Sequence, residues 1–506
     1  MRTKSGKVYL VGAGPGDPGL LTMRAAELIR RAEVLVYDAL VNRSFLQMAG
    51  PDTEIIYAGK RSKDHAIPQD QLNRLLVDKA KEGKTVVRLK GGDPYIFGRG
   101  GEEAQELVDE GVGFEVVPGI SSFVAAPNYA GIPVTHRDHC SGFTVVTGHE
   151  DPNKEESSID WKNLAEIPGT KVVLMGVERI GLITSKLIEN GMSPETPVAM
   201  VRWGTTGRQG SIEGTLATIE SVVKEKQFKA PAVTIIGGVA GLRSTLNWFE
   251  KRPLFGKRIV VTRTRKQASR LSSQLTELGA EILEIPTIRI AEPDNRQYLL
   301  DSLVALNSYS WLVFTSPNGV DEFFNYFFRA FKDIRDIGGV KIAAVGPATA
   351  EKLKAMHLQI DAMPEKYVAG EVADALNKIE MVENLNILIA RAQVANKELP
   401  DKLEEMGAIV DDIPVYKTVP ETEDVNGAVA DMEESGADWV TFTSSSTVEN
   451  FHARFDLPEL LKKWPEMKTA SIGPETTKAL KALGLEPTIE ADEHTINGLV
   501  EAIEEA

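Results

Sequence analysis

The residues best able to do chemistry lie where short apolar runs break off. Val8–Val11 leads into Gly12-Ala13-Gly14-Pro15-Gly16-Asp17-Pro18-Gly19, and Thr85–Lys90 leads into Gly91-Gly92-Asp93-Pro94. Glycine lets backbone approach a ligand closely and reach positive φ. Asp93 adds an acceptor for a hydroxyl or an ammonium group. A dinucleotide would require G-x-G-x-x-G opening straight into a helix, with pyrophosphate on the free N–H groups. Pro15 and Pro18 lack that N–H and fix φ, and Asp17 sets a negative charge where the pyrophosphate would lie. The pattern predicts a rigid loop that disfavours NAD and suits a ligand without phosphates. Two more apolar runs end in charge: VLVY in Asp38 and IIYAG in Lys60. One polar residue at a strand end is a turn former, but several at the ends of one sheet converge in space.

Such loops must be held by strands and helices in alternation. In the first half VYLV, VLVYD, TVVRLK, FEVVP, FTVVTG and KVVLM read as strands, with helical segments such as LTMRAAELIRRA between them. Open α/β sheets bind ligands beyond the carboxyl ends of their strands, where the unusual residues fall. A link around Ser244–Lys257 separates PAVTIIGGV from KRIVVTRTR and sets the main boundary near residue 250.

The second half contains an internal duplication. WLVFTSPNGVDEF at Trp311 returns as WVTFTSSSTVENF at Trp439, and KIAAVGPATAEKLKAMHL at Lys341 returns as KTASIGPETTKALKALGL at Lys468. Upstream, RIVVTRTR from Arg258 matches NILIARAQ from Asn386, which lays Arg263 over Arg391 and Ile285-Pro286 over Ile413-Pro414. The strands RIVVT, ILIA, WLVF and WVTF are too uniformly apolar for a one-sided sheet, so parallel sheets with helices on both faces are expected. The fold class is α/β throughout.

At 506 residues the chain should form about three or four compact units. With 57 basic against 73 acidic residues its net charge is −16, which argues against nucleic-acid or anionic-membrane partners. The lone Cys140 excludes an internal disulfide and reads as an inert, buried thiol in a reducing compartment. MRTKSGKVYLVGAG enters a strand directly, with no signal-peptide core and no transmembrane run, so a cytoplasmic location is expected. His136 and His139, in THRDHC, read as structural or substrate-orienting, and no metal is expected.

VGAGPGDPGLLT, YDALV, RLKGGDPYIFGRGGEE, VPGISS, AGIPVTHRD, VVTGH and GTTGRQ, in that order, closely resemble uroporphyrinogen-III C-methyltransferases over about residues 5–245. These are S-adenosyl-L-methionine-dependent tetrapyrrole methylases that release S-adenosyl-L-homocysteine. The resemblance implies two α/β subdomains in residues 1–250 and a methyl-donor pocket lined by Pro15, Gly91, Gly92, Asp93, Ile96, Ser121, Ser122, Met175 and Gly204. It makes Asp38 the proton acceptor and Lys60 the proton donor, roles a carboxylate and an ammonium can fill when their surroundings tune them. It further implies an acid-rich macrocycle as substrate, for which Arg88, Lys90, Arg99, Arg137 and Arg202 are candidate partners. A homodimer through this half is carried over with it.

TRTR, FTSPNGV, AVGPATA, IPVYKT, TFTSSSTV and SIGPETT look like uroporphyrinogen-III synthase over about 256–506. That resemblance implies a pair of α/β domains whose boundaries cut across the duplication, one from about 256–288 plus 418–506 and the other from about 289–417. It implies loss of water from hydroxymethylbilane and ring closure with inversion of the last pyrrole, through an azafulvene and a spiro intermediate. Tyr416 matches the family's tyrosine, a candidate to assist departure of the hydroxyl. Ser316, Thr349, Ser444, Ser445 and Thr476 offer hydroxyls and nearby N–H groups to substrate carboxylates, with Arg263 and Arg391 at strand ends, and the same hydroxyls suit helix caps. Together the halves imply an enzyme that makes uroporphyrinogen III and methylates it at C2 and C7 to precorrin-2. Two alternatives stand beside it: a methylase fused to a non-catalytic tetrapyrrole-binding module, and a methylase of a later corrin intermediate.

Overall fold

Strands form where the β-branched runs lie, and the helices that cover them carry apolar residues on the facing side. The architecture is that of a computed structural model, which describes residues 6–59, 67–148, 159–262, 265–365, 369–424 and 426–506, the side chains of 265–269 and 369 excepted. Strands β1 (Lys7–Gly12), β2 (Val34–Tyr37), β3 (Glu54–Tyr57), β4 (Thr85–Lys90) and β5 (Gly113–Val117) form a parallel sheet in the order β3-β2-β4-β1-β5. Successive residues of β4 face opposite ways. Val87 and Leu89 join Leu28, Ile29 and Phe45 on one face, while Val86 joins Leu72, Leu76 and Leu107 on the other. Each such side chain contributes about 1.5–3 kcal/mol on burial, so a parallel sheet covered on both faces is stable without a solvent face. Thr22 caps the helix Met23–Arg31 by accepting from Ala25 N at 3.1 Å.

The second sheet departs from the parallel expectation. It comprises β6 (Phe143–Thr147), β7 (Thr170–Leu174), β8 (Pro197–Arg202), β9 (Gly210–Thr215) and β10 (Ala232–Ile236), in the order β6-β7-β10-β8-β9. Only β6 and β7 run parallel as neighbours, while β10 lies antiparallel between β7 and β8, and β9 is antiparallel to β8. Residues 203–209 alone connect β8 to β9, too short a link for a parallel crossover, which needs about a dozen residues. Because β7 and β8 both oppose β10, their carboxyl ends lie on the same edge.

The chain divides into one compact unit of Met1–Ile285 with Glu423–Ala506 and a second of Pro286–Thr422. The first also contains β11 (Arg258–Val261) and β12 (Glu281–Glu284). The second contains β13 (Ile288–Ala291), β14 (Trp311–Phe314), β15 (Lys341–Ala344), β16 (Asn386–Ala392) and β17 (Ile409–Pro420), and the chain then returns to the first with β18 (Trp439–Phe442), β19 (Lys468–Ser471) and β20 (Ile489–Glu490). The first unit's sheet is β12-β11-β18-β19-β20 and the second's is β13-β17-β16-β14-β15. Both are parallel except for β13, which opposes β17. The first unit's sheet therefore joins two strands from the first copy of the duplication to three from the second, and the second unit's joins three from the first to two from the second. Apolar clusters cover both faces of each. Among the described residues no helix is long and apolar enough to cross a membrane.

Candidate active sites

At the carboxyl edge of the first sheet three loops meet backbone to backbone. Gly14 N donates to Gly92 O at 3.1 Å, and Gly92 N returns a bond to Gly14 O at 2.7 Å. Both glycines hold positive φ, +73° and +68°, a conformation that costs other residues roughly 1 kcal/mol or more. A Cβ at Gly12 would sit 2.5 Å from Gly119 Cα, and one at Gly119 would sit 2.2 Å from Gly92 O. Asp93 closes the cluster by accepting from Tyr95 N at 2.8 Å and Gly119 N at 3.1 Å. Its carboxylate thus shapes the turn as well as facing the site.

The second sheet supplies the other wall. Helix Ser122–Tyr129, entered through Ser121, packs on the loop after β8 so tightly that a Cβ at Gly204 would lie 2.4 Å from Ala126 Cβ. Asp17 N donates to Thr205 Oγ1 at 3.1 Å, tying the proline-bearing loop to the loop after β8. Asn42 Nδ2 donates to Gly16 O at 2.7 Å from the side of β2. Pro15, Gly91, Gly92, Asp93, Ser121, Ser122 and Gly204 are so brought together. Met175 follows β7 on the same edge as Gly204, at positive φ (+55°) and half exposed. Ile96 is likewise left exposed at 41%. The glycines let these loops pack backbone to backbone where Cβ atoms would clash. The exposed apolar side chains of Ile96 and Met175 beside the Asp93 carboxylate fit the chemistry of a sulfonium nucleoside, which has apolar parts, hydroxyls and an ammonium group.

Asp38 follows β2 with its side chain 31% exposed, open on one side and held on the other. Arg88 Nη2 donates to its Oδ1 at 2.6 Å, and Lys90 Nζ lies 3.8 Å from Oδ2. Arg88 and Lys90 are alternate residues of β4 and point to one face, where Glu103 of helix Gly100–Asp109 is fully buried. Glu103 Oε1 accepts from Lys90 at 2.8 Å, Arg88 Nε at 3.2 Å and Gln69 at 3.3 Å, while its Oε2 has no hydrogen-bond partner among the described residues. Burial pushes the Lys90 ammonium below the usual lysine range, and the neighbouring Arg88 acts in the same direction.

This network corrects the expectation for Arg88 and Lys90. Both are almost fully buried, and their donors are committed to Asp38 and Glu103, so neither reaches a substrate carboxylate. Arg99 is exposed and pairs with Glu102 through Nε at 2.9 Å and Nη2 at 2.6 Å. Arg137 is exposed, and Arg202 is half-buried with its Nε unpartnered among the described residues. Lys60 lies outside the described residues. The His136 and His139 rings stand 5.1 Å apart, and no group of metal ligands occurs among the described residues.

In the second unit Tyr416, 7% exposed on β17, shares a hydrogen bond with Ser316 Oγ at 3.2 Å. Ser316 also caps helix Pro317–Ala330 by accepting from Gly319 N at 3.0 Å. The duplication lays Ile288 under Tyr416, so only one copy brings a phenol to its serine loop. Arg391 requires a second correction. It is 6% exposed, and its guanidinium is taken up by Asp412 (Nε to Oδ1, 2.5 Å) and by Asn396 O, which leaves it holding the loop after β16 rather than free for substrate. Thr349 is buried in helix Pro347–Ala355.

In the first unit Ser444 caps helix Ser445–Phe455 with a reciprocal bond from Thr447, Ser445 Oγ donates to Glu475 O at 2.8 Å, and Thr476 is buried in helix Pro474–Ala482. Arg263 lies outside the described residues. Sequence reading passed over Glu103, Asp412 and Thr205, the partners that fix these groups. For Glu103 the available signal was the acid-rich GRGGEE at a helix start.

Residues 7–220 match the family described as tetrapyrrole (corrin/porphyrin) methylases, and residues 269–501 match uroporphyrinogen-III synthase HemD. A porphyrin biosynthesis protein HemD from Ruminiclostridium josui is 38% identical over 98% of this chain and 97% of its own length. A uroporphyrinogen-III C-methyltransferase from Bacillus subtilis is 40% identical over 78% of this chain and 81% of its own. An S-adenosyl-L-methionine-dependent uroporphyrinogen III methyltransferase from Methanosarcina barkeri is 54% identical over 48% of this chain and 94% of its own.

Proposed function

We propose, from the premise that this chain belongs to the tetrapyrrole methylases in its first half and to the uroporphyrinogen-III synthase HemD family in its second, that it performs two consecutive steps of tetrapyrrole biosynthesis. It closes hydroxymethylbilane to uroporphyrinogen III with loss of water, then methylates that product at C2 and C7 to precorrin-2. The observation that carries the reading is the cradle of joined glycine loops on the same sheet edge as the half-open carboxylate of Asp38. S-adenosyl-L-methionine, when bound, supplies a methyl group already activated on sulfur.

The protein's own part is alignment, exclusion of water and proton management. Pro15, Gly91, Gly92, Ile96, Ser121, Ser122, Met175 and Gly204 line the donor pocket in this reading, and Asp93 holds its turn. Asp38 accepts the proton released from the macrocycle, and Arg88 and Lys90 hold that carboxylate from behind. Lys60 serves as proton donor. Arg99, exposed and paired with Glu102, exchanges that partner for a substrate carboxylate in this reading. In the synthase half Tyr416, oriented by Ser316, assists departure of the hydroxyl, while the loops of Ser316, Thr349, Ser444 and Thr476 bind carboxylates. Residues 1–250 form the methylase, and residues 256–506 form the synthase as two domains that exchange the copies of the duplication. We also propose a cytoplasmic location and a homodimer through the methylase half, which sedimentation equilibrium tests.

The decisive experiment gives the purified full chain hydroxymethylbilane with and without S-adenosyl-L-methionine. Without it the type III isomer should accumulate instead of type I; with it the product mass should rise by two methyl groups. Type I alone, followed by methylation of added uroporphyrinogen III, would favour the methylase with a non-catalytic binding module.

A further inference from the structure

The loop after β8, Trp203–Gln209, is strained and held from two sides. Trp203 and Thr205 adopt positive φ, +49° and +74°, without being glycine, so the loop depends on outside contacts to keep its shape. On one side, Thr205 Oγ1 accepts from Asp17 N, and a Cβ at Gly16 would strike Thr206 Cγ2 at 2.7 Å. On the other side the loop meets the synthase half. Gly207 lies against the start of β12, where a Cβ would sit 2.3 Å from Glu281 N and 2.7 Å from Ala280 C. The Arg208 Nε atom pairs with Glu281 Oε1 at 2.9 Å, and the Arg208 guanidinium also lies 4.9 Å from the Trp203 ring centre. Glu281 is itself oriented by Arg258, whose Nε lies 3.1 Å from Oε2. Three or four residues thus separate the synthase strand from Gly204 and from the proline-bearing loop.

We infer that Glu281 of the synthase half is a positioning residue for the methyl-donor pocket, acting through Arg208 to hold the loop Trp203–Gln209 against Asp17. This rests on the reading above that Gly204 and Pro15 border that pocket. The fused synthase is then more than a supplier of substrate, because it completes the rigidity of its neighbour's cofactor site. Glu281 opens β12, at the opposite end of the strand from the synthase loops, so its loss should leave ring closure intact.

The test is calorimetric binding of S-adenosyl-L-homocysteine to the full chain, compared among wild type, Arg208→Ala, Glu281→Ala and the double variant. Each single variant should bind about tenfold more weakly, and the double variant no worse than either, as expected of two residues acting through one contact. Arg208→Ala removes a half-exposed side chain and guards against a folding artefact; hydroxymethylbilane cyclisation in every variant checks the fold independently. In turnover, KM for the methyl donor should rise with little change in kcat. Unaltered affinity in both single variants, or additive losses in the double, would overturn the inference. A wild type that binds no S-adenosyl-L-homocysteine would overturn the pocket assignment beneath it.

Discussion

Glu103→Gln removes one negative charge from a site with no access to water. The carboxylate is the buried counter-charge to Arg88 and Lys90, at 3.2 and 2.8 Å. Deleting one partner of a buried ion pair typically costs about 3–5 kcal/mol. The glutamine amide oxygen keeps a hydrogen bond worth about 1 kcal/mol, and Arg88 retains Asp38 at 2.6 Å, so a loss of about 3 kcal/mol is expected. For a domain the size of the methylase half, each kcal/mol moves the midpoint by about 2–4 °C, which gives a fall of about 6–12 °C. Differential scanning calorimetry on the full chain reads this in the transition that S-adenosyl-L-homocysteine shifts upward. The variant Arg88→Met/Lys90→Met/Glu103→Met separates structure from function. Apolar replacement of a whole buried ion cluster is often neutral or stabilising, so the midpoint should return while methylation is lost, because Asp38 has then lost both groups that hold it. A Glu103→Gln midpoint within about 2 °C of wild type would refute the assignment of Glu103 as the counter-charge.

Three further outcomes follow from the same geometry. Asp38→Ala should abolish methylation and leave cyclisation of hydroxymethylbilane unchanged; loss of both would refute separate sites. Tyr416→Phe removes the phenol from Ser316 and should slow ring closure by about 10²-fold, read by chromatography as a growing share of the non-enzymatic type I isomer, and an unchanged rate would dismiss the phenol. Burial raises the Glu281 carboxyl above its ordinary 4.5, against the opposing pull of Arg208 and Arg258 and with Asp431 adding to the rise. A group raised in the folded state contributes stability that is fully present below its unfolded pKa and lost as pH rises through its folded pKa. Relative to Glu281→Gln, the wild type should therefore gain thermal stability as pH falls from neutral toward 4.5; a flat or opposite difference would contradict this.

Much of the fold was legible because its signals are local. β-branched runs ending in glycine and proline marked the strands and the loops after them, and the duplicated motifs at Trp311 and Trp439 marked two related α/β segments. The runs PVAMVR and GSIEGT were harder: β9 carries two glycines and a glutamate, and nothing local shows that β10 will lie antiparallel between β7 and β8. The proline-bearing glycine loop was legible as a rigid turn rather than a helix start, because proline fixes φ and removes an N–H group wherever it stands. Arg88 and Lys90 were not legible, since an i, i+2 pair on a strand faces inward or outward according to what the opposing helix carries, and Glu103 is more than ten residues away.

By itself, the sequence determined the α/β class, the duplicated second half and a proline-stiffened glycine loop, all properties of contiguous residues and their backbone freedom. Only the tertiary structure decided which charges serve the interior and which face outward. Glu103 turns Arg88 and Lys90 behind Asp38, Asp412 takes Arg391 out of the substrate's reach, and Glu281 fastens Arg208. Each of these choices depends on a counter-charge carried by a distant element, and the strength of an ion pair is set by distance and burial, which the chain acquires only on folding.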